Sequence, residues 1–156
     1  MQGNQAIIDI LNDLLAGELA ARDQYFIHSR MLSEWGLTRL AERIGHEMAD
    51  ETAHADALIR RILFLEGRPN MVPAPLAIGH DVPSMLASDL QVELEVVASL
   101  RQAIAACEQA GDYVTRDVLM PLLEDTEHDH AHWLEQQLRL IGLMGLQNYL
   151  QSQASA

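Results

Sequence analysis

Residues 51–54 read Glu-Thr-Ala-His, and residues 127–130 read Glu-His-Asp-His. In an α-helix a glutamate and a histidine three residues apart lie on one face, so both side chains can reach the same point. Carboxylates and imidazoles are ligands that iron, manganese and zinc accept. Each pair falls in a long segment with apolar residues at every third or fourth position, so the sequence predicts two helices that direct metal ligands into one interior.

These two pairs belong to a repeat. Glu18 precedes Glu51 by 33 residues, and Glu93 precedes Glu127 by 34 residues. The chain therefore reads twice as a helix with one glutamate followed by a helix with Glu-x-x-His. The second copy is one residue longer and contains Pro121. Because proline removes a backbone donor from a helix, we predict a kink or π-bulge just upstream of Pro121, with the register restored by Glu127.

The spacing of apolar residues predicts an all-α protein with four long helices, at about residues 5–34, 38–66, 83–110 and 113–144, and a short helix at 146–153. Segment 67–82 contains three prolines and two glycines and is predicted to be a connection. Its sixteen residues can span roughly 50 Å, which exceeds the roughly 44 Å of a 29-residue helix. We therefore predict a four-helix bundle in which this connection crosses the bundle and helices two and three are parallel. Residues 1–156 are predicted to form one domain.

Composition limits the classes of function. Ten Lys and Arg against 23 Asp and Glu give a net charge of −13, so we expect no binding to nucleic acid, whose phosphates the chain would repel. Cys107 is the only cysteine, which excludes an intrachain disulfide and suggests a reducing compartment. The N-terminus has no basic region of a signal peptide, and no apolar run is long enough to cross a bilayer. We expect a cytoplasmic protein without a membrane partner.

The apolar stripes contain acids at positions where core residues are expected. A buried carboxylate without a partner costs several kcal/mol, and close carboxylates repel one another. Two divalent cations would cancel four such charges, so we predict a dinuclear metal site, although a solvated acidic face is the simpler alternative for any single position. Glu47 lies on the second stripe too, as a neighbour of the site or an ordinary surface residue. The six predicted ligands are Glu18, Glu51, His54, Glu93, Glu127 and His130.

This pattern of one Glu from each of two helices and Glu-x-x-His from the other two resembles the ferritin-like carboxylate proteins. More narrowly, the chain resembles the bacterioferritins along its whole length. The most specific matching stretches are Gln24-Tyr25-Phe26, Trp35-Gly36-Leu37, His54-Ala55-Asp56, residues 62–67 (Ile-Leu-Phe-Leu-Glu-Gly) and residues 144–150 (Met-Gly-Leu-Gln-Asn-Tyr-Leu).

The resemblance implies a ferritin-like bundle and a hollow 24-subunit shell. Such a shell oxidises Fe(II) at a di-iron centre with O2 or H2O2 and stores ferric mineral inside. It also implies that the six predicted ligands hold the two irons. Tyr25 would lie beside the centre and donate an electron. His46 and Asp50 match residues that hold an iron on the inner surface, although a solvated pair is an equal alternative.

One position departs from the bacterioferritin pattern. These proteins typically bind haem b between two subunits through a Met that follows the first Glu of the second helix, and here that position is Thr52. A threonine hydroxyl is a poor ligand for haem iron, and Met48, one turn earlier, is the alternative. We therefore expect a haem-free chain, or one that works in a mixed shell with a second, haem-binding bacterioferritin subunit.

Two other functions are weighed against the iron-storage ferroxidase. The chain could be a shell-forming subunit that depends on a haem-binding partner, with a reductant protein for iron release. It could also be a di-iron oxidase or peroxidase without a shell. The second is less favoured because the chain lacks the paired Cys-x-x-Cys of a rubredoxin-like domain.

Overall fold

The computed structural model describes residues 1–154, so the last two residues of the predicted domain lie outside the described part. Four long helical rods and a short C-terminal helix confirm the predicted all-α bundle. The elements are α1 (Gln5–Glu34), α2 (Thr38–Phe64), α3 (Val82–Gln109), α4 (Tyr113–Asp125), a π-helical segment (Thr126–Ala131), α5 (His132–Met144) and α6 (Leu146–Gln153).

Side chains cap the starts of three helices. The Asn4 side chain accepts a hydrogen bond from the backbone N–H of Ala6, and that of Asp112 accepts one from Thr115. Asp81 and Ser84 form a capping box at the start of α3, each side chain accepting from the other residue's backbone N–H. These bonds satisfy backbone donors that have no partner within the helix.

The connection between α2 and α3 runs along α1. Asn70 N–H donates to the side chain of Asn12, and Ala74 N–H donates to the carbonyl of Ala16. Further along, the backbone N–H groups of residues 77 and 79 donate to the side chains of Gln24 and His28. Because the residue numbers in the connection and in α1 rise together along these bonds, the connection runs parallel to α1. Helix α3 then starts where α2 starts, so the two helices are parallel, as predicted.

A buried hydrogen-bond network holds the end of this connection. His28 Nε2 accepts from Gly79 N–H at 3.0 Å, which leaves Nδ1–H to donate to Asp89 at 2.9 Å, and Gln24 also donates to Asp89 at 2.8 Å. His28 and Asp89 are both fully buried. The network therefore ties α1, α3 and the connection together in the interior.

We expect Asp89→Asn to lower the free energy of unfolding by about 1–3 kcal/mol, because an amide in that place leaves a buried donor without its acceptor. Denaturant unfolding of the two proteins measures the difference. Glu95→Gln is the matched control, since Glu95 lies exposed on the same helix. Equal midpoints for Asp89→Asn and the wild type would contradict this role of the network.

Two apolar clusters fill the bundle and leave a polar layer between them. One cluster contains residues near the start of α1 and the end of α2, including Leu15 and Leu58. The other includes Tyr25 and Ile44, with Tyr149 from α6. The predicted ligands of α2, α3 and the fourth rod fall between these clusters, and Glu18 lies at their border on α1. Apolar packing above and below therefore fixes the height of the ligands in the bundle. No helix within residues 1–154 is long and apolar enough to span a membrane.

Candidate metal centre

The first ligand group joins α1 and α2. Glu18, Glu51 and His54 are buried, and each can supply one ligand atom within 4.8 Å of the others. His54 Nδ1 lies 3.3 Å from Glu18 Oε2 and 3.5 Å from Glu51 Oε2. Two carboxylates and one imidazole therefore converge on a volume of the size that one metal ion fills.

The second ligand group shares Glu51 with the first. Glu51, Glu93 and His130 are buried, and their ligand atoms also lie within 4.8 Å of one another. His130 Nδ1 is 2.8 Å from Glu51 Oε1 and 3.5 Å from Glu93 Oε1. The two imidazole rings stack with centroids 5.6 Å apart. Glu51, with one oxygen toward each histidine, is placed as a bridge between two adjacent positions.

Several of these atoms are buried without a hydrogen-bond partner. They are Glu18 Oε1, both oxygens of Glu51, Glu93 Oε2 and His130 Nδ1. An unpaired buried polar atom is costly, and here five of them face one small volume. Carboxylate oxygens and imidazole nitrogens suit iron, manganese and zinc. The donor set therefore fits a pair of divalent cations.

The pKa values respond to this crowding. Burial, then repulsion by Glu51, raises the pKa of Glu18 well above its ordinary value, and burial raises the pKa of Glu93. Burial by itself would lower the pKa of His54, but its contacts with Glu18 and Glu51 raise it to about 11. The pKa of His130 is likewise raised, against burial, by Glu47, Glu51 and Glu93. Without metal, these carboxyl groups and imidazoles therefore retain protons, and binding of cations would displace the protons.

The far nitrogen of each histidine faces a different carboxylate. His54 Nε2 lies 2.7 Å from Asp125 Oδ2. His130 Nε2 lies 3.2 Å from Asp50 Oδ2 and 2.7 Å from Glu47 Oε2. A carboxylate that accepts from one ring nitrogen orients the other nitrogen toward a metal and increases its basicity. Both Nδ1 atoms are thus turned to the two ligand groups.

Glu127 is the one predicted ligand that the structure does not bring to the cluster. Its side chain is partly exposed, and Oε1 accepts from Arg101 at 2.6 Å. The buried face at this level is occupied by Thr126, whose hydroxyl donates to the carbonyl of Leu122. Five of the six predicted ligands come together, and Glu127 points to another face of the bundle.

The π-helical segment explains this difference. Residues three apart share a face in an α-helix, but an i→i+5 turn holds more residues and separates them in angle. The extra residue of the second repeat therefore lies at Thr126–Ala131, and not upstream of Pro121 as predicted. Pro121 is exposed and lies within the regular helix α4. The prediction of a π-bulge was correct in kind and wrong in position.

Two acidic residues near the centre were not among the predicted ligands. Glu47 is 1% exposed, although its sequence position fits a surface residue equally well. Its contacts with Arg43 on α2 and with His130 on a different rod reveal its place. Asp125 lies one residue before the π-helical segment, and its carboxylate reaches the centre through His54 on α2.

The remaining predicted residues lie around the cluster. Tyr25 is buried, and its hydroxyl donates to Glu93 Oε1 at 2.5 Å. Burial, followed by the charge of Glu93, raises its pKa well above the ordinary value. His46 Nε2 lies 3.4 Å from Asp50 Oδ2, and both are at least partly exposed. A surface pocket of about 480 Å³, lined by His54, Asp125 and neighbouring residues of α4 and the π-helical segment, opens beside the centre.

Thr52 occupies the position at which bacterioferritins typically carry the haem-binding Met. It is exposed, and its hydroxyl donates to the carbonyl of Met48 at 3.0 Å. Met48 is half-buried and packs against the apolar cluster that contains Tyr25. The haem-free chain stays a prediction, as does the alternative assignment of Met48 to haem.

Comparison with known proteins gives consistent matches over most of the chain. The family model of the ferritin-like domain matches residues 8–144. A protein of Neisseria meningitidis serogroup B named bacterial ferritin is 63% identical over 153 residues, covering 98% of this chain and 99% of its own. A bacterial ferritin of Pseudomonas aeruginosa is 61% identical over 153 residues, with the same coverage. A bacterioferritin of Brucella melitensis is 42% identical over 156 residues, covering 99% of this chain and 96% of its own.

Proposed function

The chain belongs to the ferritin family, and from this premise we propose that it stores iron and oxidises Fe(II) at the centre formed by α1, α2, α3 and the π-helical segment. The observation that carries the proposal is the pair of buried ligand groups that share Glu51. Two adjacent positions with a shared carboxylate are what a two-electron oxidant requires, since each Fe(II) supplies one electron.

The expected reaction is balanced in electrons and protons. Two Fe(II) ions give two electrons, which reduce one O2 with two protons to H2O2, or one H2O2 with two protons to water. When bound, the iron pair supplies this redox chemistry, and the protein supplies position and charge. Glu18, Glu51 and His54 would hold one ion, and Glu51, Glu93 and His130 the other. Tyr25, hydrogen-bonded to Glu93, would donate an electron and a proton where only one Fe(II) is bound, so that one Fe(II) and Tyr25 together supply the two electrons that reduce H2O2 to water.

Asp125, Glu47 and Asp50 have a supporting role in this proposal. Asp125 accepts from the far nitrogen of His54 and Asp50 from that of His130, and so each Nδ1 lone pair stays directed at an ion. Glu47 Oε2 lies beside the same nitrogen of His130. In this proposal, ions would enter through the pocket lined by His54 and Asp125. His46 and Asp50 would receive iron on the way to the interior of a shell. Glu127 is left out of the ligand set, because its partner is Arg101.

We place this chemistry in a 24-subunit shell, either of this chain alone or mixed with a haem-binding subunit. Large apolar side chains on the surface, among them Leu63, Phe64 and Leu143, support an assembly that buries them. Ferric mineral would be mobilised by a reductant protein, and we expect the shell in the cytoplasm.

Anaerobic addition of two Fe(II) per chain, followed by air, tests the oxidase proposal. We expect ferric absorbance to rise much faster than in buffer and the particle to sediment as 24 chains. Repeated additions of Fe(II) and air should leave more than two irons per chain in the particle. A 24-chain particle that oxidises Fe(II) no faster than buffer would contradict the ferroxidase and leave the shell-forming subunit as the remaining function. A dimer that oxidises Fe(II) would favour the oxidase without a shell.

A further inference from the structure

A third group of possible ligands lies against the centre and is not used by the proposed function as a metal site. Glu47, Asp50, Asp129 and His130 can each present one ligand atom within 4.8 Å of the others. Glu47 is buried, and its Oε2 has no hydrogen-bond partner although it faces His130 Nε2 at 2.7 Å. This group therefore has the size and the unpaired oxygen of a cation site.

Arg43 already places a positive charge in this group. Its Nε donates to Glu47 Oε1 at 2.6 Å. One of its terminal nitrogens donates to both the side chain and the backbone carbonyl of Asp129 at 3.1 Å. The guanidinium also lies over the Trp133 ring, 4.5 Å from its centroid. The cation is thus held by two carboxylates, a carbonyl and an aromatic face.

Contacts lead from Arg43 to the proposed iron positions. Glu47 has one oxygen on Arg43 and the other on His130, and His130 Nδ1 faces Glu51 and Glu93. An arginine cannot lose its charge in a protein. A permanent cation at this point neutralises one carboxylate without competing for Nδ1 of His130.

We propose that Arg43 is a resident cation that occupies a third metal position and limits the centre to two divalent ions. Asp50, Glu47 and Asp129 would otherwise supply three carboxylates, which together suit a hard divalent cation. The guanidinium donates to Glu47 Oε1 and Asp129 Oδ1, which would otherwise be ligand atoms. Its charge also repels an incoming divalent ion. This inference rests on the proposed dinuclear centre, and it concerns the number of ions that the centre accepts.

Counting Mn(II) tests the proposal, because manganese accepts carboxylate ligands and stays divalent without air. Equilibrium dialysis under argon, with electron paramagnetic resonance of the bound ion, gives the number per chain. We expect Arg43→Gln to bind one more ion per chain than the wild type, since charge removal strengthens the third position by on the order of 100-fold or more. An equal number in both proteins overturns the proposal.

Three variants locate the additional ion. The double variant Arg43→Gln, Glu47→Gln is expected to bind the same number of Mn(II) ions per chain as the wild type. An additional ion in that double variant overturns the assignment of the third position to Glu47. Arg43→Lys retains the charge and is expected to match the wild type, so a third ion there overturns the role of charge. Arg39→Gln is the matched control, because Arg39 lies one turn earlier on α2 and contacts Ser152 on α6.

The same measurements separate this inference from the proposed function. The number of ions bound by the wild type tests the dinuclear centre, whereas the difference between the wild type and Arg43→Gln tests Arg43. Arg43 also supports the π-helical segment through Asp129. If Arg43→Gln does not fold, Arg43→Met gives the same test, since its unbranched side chain still covers Trp133 without a charge.

Discussion

Replacing Glu51 by Gln is expected to abolish rapid Fe(II) oxidation and to remove both metal positions together. Glu51 is the only residue shared by the two buried ligand groups, and both of its oxygens lack a hydrogen-bond partner in the described chain. Loss of a residue that merely orients a ligand typically costs 10–100-fold in metal affinity or activity, so loss of the shared ligand should cost more than about 100-fold. Stopped-flow absorbance after mixing with two Fe(II) per chain and O2 measures the rate.

Glu127→Gln is the informative control for that experiment. Both substitutions exchange a carboxylate for an amide near the centre, but the Glu127 side chain pairs with Arg101 on a different face. We therefore expect the Glu127→Gln rate to stay within about twofold of the wild type. Loss of oxidation in Glu127→Gln equal to that in Glu51→Gln would contradict a ligand set without Glu127 and restore the one predicted from sequence. Unchanged oxidation in Glu51→Gln would contradict the shared-carboxylate centre itself.

The contrast between these two glutamates shows what the sequence could predict. Apolar residues at three- and four-residue steps identify which face of a helix is buried, and they placed Glu18, Glu51 and Glu93 in the interior correctly. The repeat predicted the height of the ligands along the bundle, because residues at equivalent positions of two helix pairs lie at the same level. The parallel arrangement of α2 and α3 followed from the length of segment 67–82 alone.

The position of the extra residue could not be predicted in the same way. An insertion of one residue turns every earlier side chain by about 100° relative to every later one, and the composition favoured Pro121 as its place. However, Pro121 faces solvent, where water can satisfy the carbonyl that loses its donor. The π-helical segment instead lies where Thr126 and His130 both face the core and Arg43 donates to the carbonyl of Asp129. These contacts join distant parts of the chain and leave no local pattern.

Asp125 was missed, and the role of Glu47 was left open, for a related reason. Each is recognisable only through the histidine it faces, and those histidines lie on other rods. The choice between a surface glutamate and a buried one at position 47 depends on Arg43 and His130 together. A dinuclear centre could therefore be predicted from helix periodicity, whereas the carboxylates that orient its histidines required the packed structure.

Metal binding is expected to stabilise the fold strongly, and more so at higher pH. At an ion concentration about 100 times the dissociation constant, each bound ion adds about 2.7 kcal/mol to the free energy of unfolding. Two ions should therefore add about 5 kcal/mol if unfolded chains bind none. The physical source is the group of buried oxygens that have no partner until a cation arrives.

The sign of the pH dependence follows from the raised pKa values. In the metal-free fold, Glu18 and Glu93 hold protons above 4.5, the ordinary value at which unfolded glutamates lose them. His54 likewise holds its proton between 6.5 and about 11. The metal-free fold thus binds more protons than the unfolded chain, and its stability falls as pH rises. Ions displace these protons, so metal affinity increases with pH.

Denaturant unfolding with and without Mn(II), at pH 6 and pH 8 under argon, measures both effects. We expect the metal-loaded protein to unfold at higher denaturant at both values, with the larger difference at pH 8. Glu51→Gln should show little stabilisation by the same ion concentration, which separates the centre from ions bound elsewhere on an acidic surface. A difference that shrinks between pH 6 and pH 8 would mean that the ions bind without displacing protons. The buried carboxylates would then not be their ligands.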